Sequence, residues 1–217
     1  MADRNFSGLT TDQREESDMS STKTAHSLVS EVRSKVPQPD DTFSDNPQLG
    51  DPAVADGTPQ NDIRLRAYEI YVQREQQAGR AMDDWLQAER EWNKALVLQA
   101  FDTLFNKRDY AAAQHFWSSN YIQHSAHIEP GREGLFNMIK SIPPTLKYEP
   151  GTIVAEGDYV MVHGRFSGFG QPVNWIAADI VRIKDGVLVE HWDIIQDEAS
   201  KQESKSGLPM FGDSFTK

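Results

Sequence analysis

Apolar residues recur with one period in the first half of the folded chain and with another in the second. Ile63, Ala67, Ile70 and Tyr71 fall at helical spacing, with Asn61 or Asp62 placed to cap the helix. Ala78-Gly79-Arg80 interrupts this stripe. A second helix opens with Asp83 and Asp84, where the helix dipole favours anions, and carries Trp85, Ala88 and Trp92 on its apolar face. Two short helices around a glycine turn predict a helical hairpin over residues 61–92. Val97, Leu98, Phe101, Leu104 and Phe105 then share one broad face, which predicts a helix from Ala95 to Phe105 that could continue from the preceding one. Asp109 can cap a further helix, Tyr110–Trp117, and Ser118–His124 reads as a loop with a short extended piece. Gly131–Gly134 leads into a helix bearing Leu135, Phe136, Met138 and Ile139, stopped by Pro143-Pro144.

Beyond that proline pair the period becomes two. Lys147–Glu149, Thr152–Glu156, Tyr159–Ser167, Val173–Lys184 and Val187–Gln196 read as strands, with turns at Gly157-Asp158 and Asp185-Gly186. Helices followed by antiparallel strands predict an α+β fold over residues 93–196, three helices packed on one face of a curved sheet. Such a cone has a mouth suited to a small ligand.

The ends of the chain differ from this body. Residues 1–60 lack Ile and Trp and hold five basic and eleven acidic residues, a net charge of −6. So little apolar surface cannot offset ordering entropy, so an acidic disordered tail is expected. Leu28, Val29, Val32 and Val36 alone have helical spacing there. Residues 197–217 form a second tail, polar apart from Leu208, Met210, Phe211 and Phe215. The whole chain has 217 residues, a net charge of −11 and no cysteine. This charge argues against nucleic acid or an anionic membrane as partner, and the missing cysteines exclude disulfides and thiolate chemistry. No apolar run approaches the roughly 20 residues of a membrane helix. The expected location is the cytoplasm.

Pairing the strands about their turns brings chemistry together. A hairpin centred on Gln171 sets His163 opposite Asp179. A three-residue loop at Lys184–Gly186 sets Asp179 opposite His191 and Ala177 opposite Asp193. The resulting row His163–Asp179–His191 lies on the face shared with Val181 and Val189, and Arg165 and Asp193 flank it. A two-residue Asp185-Gly186 turn would instead pair Lys184 with Val187 and bring Trp192 opposite Asp179, and one bulge would shift the row. A carboxylate on an apolar face is pushed up by desolvation and down by an imidazolium, which can poise it as a general base. In that reading Asp179 abstracts a proton beside a substrate carbonyl, His163 orients it or protonates the enolate oxygen, and His191 is a second donor. The same row read structurally is a buried Asp satisfied by two histidines. Trp175 shares the face of Asp179 and is the expected pocket aromatic; Trp192 points the other way. His124 is expected to line the mouth or tie its loop, and His127 to face solvent. The histidines have no recognised metal-ligand spacing, so neither metal nor cofactor is assigned.

Two stretches resemble known families. Ile63–Tyr71, Gly79-Arg80 and Asp83–Glu91 are similar to a short bacterial domain of unknown function, which implies a bacterial source but no activity. Asn120–His124, Gly131–Leu135, His163, Asp179–Gly186 and Glu190–Asp193 resemble the SnoaL-like branch of the nuclear-transport-factor-2-like superfamily. That resemblance implies a cone-shaped α+β barrel, often a homodimer through its sheet, with a hydrophobic pocket for a small ligand. It implies cofactor-independent acid/base chemistry of the polyketide-cyclase kind, by a His and an Asp that fall on His163 and Asp179. Tyr121 and His124, in the matched Asn-Tyr-Ile-Gln-His string, are assigned to substrate binding with Arg165, Trp175 and Asp193. The superfamily also holds isomerases, dehydratases and binding modules, so the fold leaves the activity open.

Overall fold

The computed structural model describes residues 58–212, so nearly all of the expected acidic tail lies outside the described residues. Helix α1 (Pro59–Gln73) begins with a proline at its first position, where the missing N–H costs nothing. It packs antiparallel on α2 (Ala81–Phe101) through a small cluster of Ile63, Ile70 and Ala88, backed by Trp85 and Trp92. Most basic residues of the hairpin are spent on its own acidic ones, while Arg90 reaches Glu156 of the sheet at 3.7 Å. Arg74 grips Asp84 at 2.6 Å, and Arg66 pairs with Glu69 and Glu91.

Helix α2 runs without a break into a π-helical turn, Asp102–Asn106. Asn106 closes it by pairing both ways with the Tyr148 backbone: its amide donates to the carbonyl at 3.1 Å, and its carbonyl accepts the N–H at 2.8 Å. Helix α3 is only Tyr110–Ala113, capped by the Asp109 carboxylate on the Ala112 N–H. The helix expected to reach Trp117 therefore stops early, because Trp117 already belongs to strand β1 (Trp117–Gln123). Helix α4 (Gly131–Ser141) buries Leu135, Phe136 and Ile139. Its last carbonyls are collected by the Arg108 guanidinium, at 2.5 Å from Ile139 and 3.0 Å from Ile142.

Strands β2 (Lys147–Glu156), β3 (Tyr159–Ser167), β4 (Trp175–Lys184) and β5 (Val187–Asp197) complete an α+β fold. The two short strands expected before Gly157 are one strand, irregular between Pro150 and Ile153. The sheet order is β1-β5-β4-β3-β2. It is mixed rather than wholly antiparallel, since β1 runs parallel to β5, and it stays open because β1 and β2 do not pair. The core of the cone gathers Val97, Phe101, Leu104, Trp117, Phe136 and Val162 between helices and sheet.

The helical hairpin docks at one end of this body. Asn93 donates to the Gly157 carbonyl in the β2–β3 turn at 3.0 Å. At the β4–β5 turn, Gly186 has φ +78°, and a Cβ there would lie 2.7 Å from Pro59. Antiparallel connectivity puts these two turns together and the β3–β4 loop at the opposite end, so the hairpin sits away from that loop. No helix among the described residues is long and apolar enough to cross a membrane.

Candidate functional site

The site depends on register. In β3–β4 the pairs are Val162↔Asp179 and His163↔Ala178, so the loop centres between Gly170 and Gln171. That offset of one residue turns His163 and Arg165 onto the outer face of the sheet, away from Asp179. The expected His163–Asp179 row is thereby corrected. His163 instead meets the Phe211 ring at 5.6 Å. Arg165 pairs with Glu149 at 2.8 Å and lies over Phe211, so it does not reach the pocket.

In β4–β5 the turn is the two-residue Asp185-Gly186, with positive φ at both positions and Lys184 facing Val187. A bulge then intervenes: Arg182 faces Glu190 while Ile183 faces Leu188, which leaves Val189 as the extra residue. Beyond it Asp179 faces Asp193, and Val181 faces His191. The bulge keeps Leu188 and His191 both inward. His191 is thus the diagonal neighbour of Asp179 rather than its direct partner, and Asp193 takes the position expected for His191.

The inward groups line a cavity of about 250 Å³. Phe101, Leu135, Ile139, Phe166 and Trp175 form apolar walls, while Asp179, His191 and Asp193 form one polar wall. Asp179 is 4% exposed and His191 6%. His191 Nε2 lies 3.0 Å from Asp179 Oδ1, and His191 Nδ1 lies 2.9 Å from Gln123 Oε1. The other carboxyl oxygen, Oδ2, is buried without a partner among the described residues. Burial holds the Asp179 carboxyl above the ordinary carboxylate range, against the lowering effect of His191; Asp193 adds to the rise. Tyr121 also lines the cavity, and its hydroxyl is pushed up mainly by burial and further by the Asp179 and Asp193 charges, so it stays a proton donor.

Trp175 stands in the wall as expected, 4.5 Å from the Phe169 ring. Both loop histidines are exposed: His124 ties its loop through Glu190, and His127 reaches the cavity from the solvent side. His124 is on the outer side, where its Nε2 meets Glu190 at 2.9 Å and its ring stacks on Trp192 at 4.8 Å. The bond to His124, followed by that to Arg182, holds Glu190 below the usual carboxylate range. His127 lines the cavity and stacks on Trp175 at 5.8 Å. Gln123 is a site residue that sequence reasoning missed. Its signal was alternation: in a strand, Tyr121 and Gln123 share one face while Ile122 and His124 share the other. Among the described residues, no group of three His, Asp or Glu side chains is placed to hold a metal ion.

Comparison with known families bears on this geometry. Residues 97–191 match the SnoaL-like domain family. Residues 60–92 match a protein family of unknown function (DUF2934), which coincides with the helical hairpin. The stretch similar to that family runs from the end of α2 into β5 and includes Asp179 and His191 of the cavity wall. No curated protein matches the sequence. Among solved structures, AclR from Streptomyces galilaeus is 27% identical over 48% of this chain and 88% of its own, at a TM-score of 0.40. TsrD from Streptomyces laurentii is 26% identical over 47% of this chain and 89% of its own, also at 0.40. An NTF2-like protein from Cytophaga hutchinsonii is 17% identical over 48% of this chain and 89% of its own, at 0.42.

Proposed function

We propose that the SnoaL-like domain performs acid/base chemistry on a small, largely apolar carbonyl compound, in the manner of an aldol cyclisation, an isomerisation or a dehydration. The observation that carries this reading is a buried carboxyl in a cavity wall, with one oxygen held by an imidazole and the other unpartnered. A carboxylate whose proton affinity is raised by burial is a stronger base than one in water, and a base works best when its pKa approaches the working pH. Oδ2 of Asp179 takes the proton from the carbon beside the substrate carbonyl. The Tyr121 hydroxyl, protonated in the same cavity, is the donor to the oxygen on which negative charge develops. Both ring nitrogens of His191 are engaged, so His191 holds and orients Asp179. Trp175 and the other aromatic walls bind the apolar part of the substrate, and Asp193 accepts from a substrate donor. Neither a metal nor an organic cofactor is needed for such a proton transfer.

A second reading has the same cavity hold an apolar ligand without turnover. The test is hydrogen–deuterium exchange at the α-carbon of candidate β-keto and enone compounds in deuterated water, followed by NMR. The proposal expects exchange in the wild type that falls about 10²–10⁴-fold in Asp179→Asn, the usual contribution of a positioned base. Exchange that is unchanged by Asp179→Asn would sink the catalytic reading. Ligand-induced melting shifts lost in Trp175→Ala but kept in Asp179→Asn would favour simple binding. We also propose a homodimer through the outer sheet face, where Tyr159, Met161 and Ile194 are exposed and Ile180 and Trp192 lie half-buried.

A further inference from the structure

Gln123 makes two contacts with one atom. Its Oε1 accepts the Ser125 backbone N–H at 3.0 Å and stands 2.9 Å from His191 Nδ1. A backbone N–H can only donate, so the Gln123 atom that meets it is the carbonyl oxygen, and an amide flip would set two donors against each other. An acceptor so fixed requires a proton on His191 Nδ1. The opposite nitrogen, Nε2, faces Asp179 Oδ1 at 3.0 Å. With Nδ1 protonated, a neutral ring has a lone pair on Nε2. A lone pair against an ionised carboxylate oxygen would repel. The link is therefore a hydrogen bond only when it contains a proton of its own, on Nε2 or on Oδ1.

We infer that Gln123 is a positioning residue, which fixes the tautomer of His191 and so places one shared proton between His191 and Asp179. The pair then rests electrically neutral as a unit. Its buried neighbours make that state favourable, since an uncompensated charge at this depth would be costly. The titratable groups that face the pair are Asp193 on β5, Tyr121 on β1, Tyr148 on β2 and His127 in the loop before α4; α4 itself presents apolar side chains. With the bridging proton on Nε2, Asp179 Oδ2 is free to accept a proton from a guest, and no charge has to leave the cavity. In this way the inference deepens the reading of Asp179 as base, and its kinetic part rests on that reading.

The test is nitrogen NMR of the ¹⁵N-histidine-labelled full chain, with His191 assigned by its loss in His191→Asn. In the wild type, His191 is expected to show a protonated, exchange-protected Nδ1. Gln123→Leu removes the acceptor, and the ring should adopt the Nε2–H tautomer that donates to an ionised Asp179, so that the protonated Nδ1 signature is lost. Gln123→Glu retains an acceptor and should restore the wild-type pattern. A wild-type spectrum with bare Nδ1 would overturn the inference without any variant, as would signatures indifferent to Gln123→Leu in a folded protein. Where an exchange substrate is in hand, Gln123→Leu should lower its rate about tenfold or more and shift the pH profile, and Gln123→Glu should recover most of it. A wild type that exchanges nothing, yet shows the expected tautomer, would refute the proposed activity and leave the role of Gln123 standing.

Discussion

Asp179 is the residue on which the chemistry turns, and its burial has a thermodynamic signature. Its pKa lies above 3.8 in the folded state because burial disfavours the charged form. In the pH window from 3.8 up to that raised value the native chain binds more protons than the unfolded one, so stability falls as pH rises through it. Asp179→Asn keeps a donor for His191 Nε2 and removes the ionisation. Its melting temperature at pH 7 is expected to equal or exceed that of the wild type, with a flatter dependence on pH through that window; calorimetry across pH checks both. His163, by contrast, lies on the outer face beside Phe211. His163→Ala should leave any exchange rate within about twofold, whereas a loss comparable to that of Asp179→Asn would contradict the register.

At the scale of elements, the two periods in the sequence locate most of the helices and strands, because burial on one face requires them. Four features escape such reading. Strand β1 has a polar start, Trp-Ser-Ser-Asn, and pairs in parallel with β5, whose residues lie some seventy positions away, so no turn announces it. The bulge at Val189 follows from the need to turn both Leu188 and His191 inward, a tertiary demand that alternation alone does not reveal. The off-centre β3–β4 loop decides which face His163 takes. The π turn is the fourth, closed by Asn106 on a strand forty-two positions further along. As a result Asp179, His191, Tyr121, Trp175 and Asp193 converge in the cavity, while His163, Arg165 and His124 do not. Gly164 shows how tightly the side chains of neighbouring strands fill the inner face: a Cβ there would come within 2.5 Å of the Tyr148 ring on β2. Gly164→Ala is expected to cost about 1–3 kcal/mol by overpacking, read as a fall in the denaturant midpoint.

At the scale of the molecule, the hairpin closes the end of the sheet remote from the β3–β4 loop, and the C-terminal segment folds back over the outer face. Phe211 covers His163 and Arg165 and comes within 3.0 Å of where a Cβ on Gly151 would stand. The part of the outer face left open carries Met161 and Ile194, exposed by 44% and 61%. Exposed apolar side chains clustered on one sheet face mark an interaction surface. If that surface joins two copies, sedimentation should show a dimer for the wild type and a monomer for Ile194→Glu, with the fold retained in both. A wild type that sediments as a monomer at all accessible concentrations would remove the proposed interface.

The central claim, a buried and proton-hungry carboxyl in a cavity, can be measured before any substrate is known. Carbon NMR of the side-chain carboxyls in aspartate-labelled protein, titrated over pH, should show one resonance that disappears in Asp179→Asn and titrates above the other aspartates. A resonance for Asp179 that titrates with the exposed aspartates would contradict the account at its root.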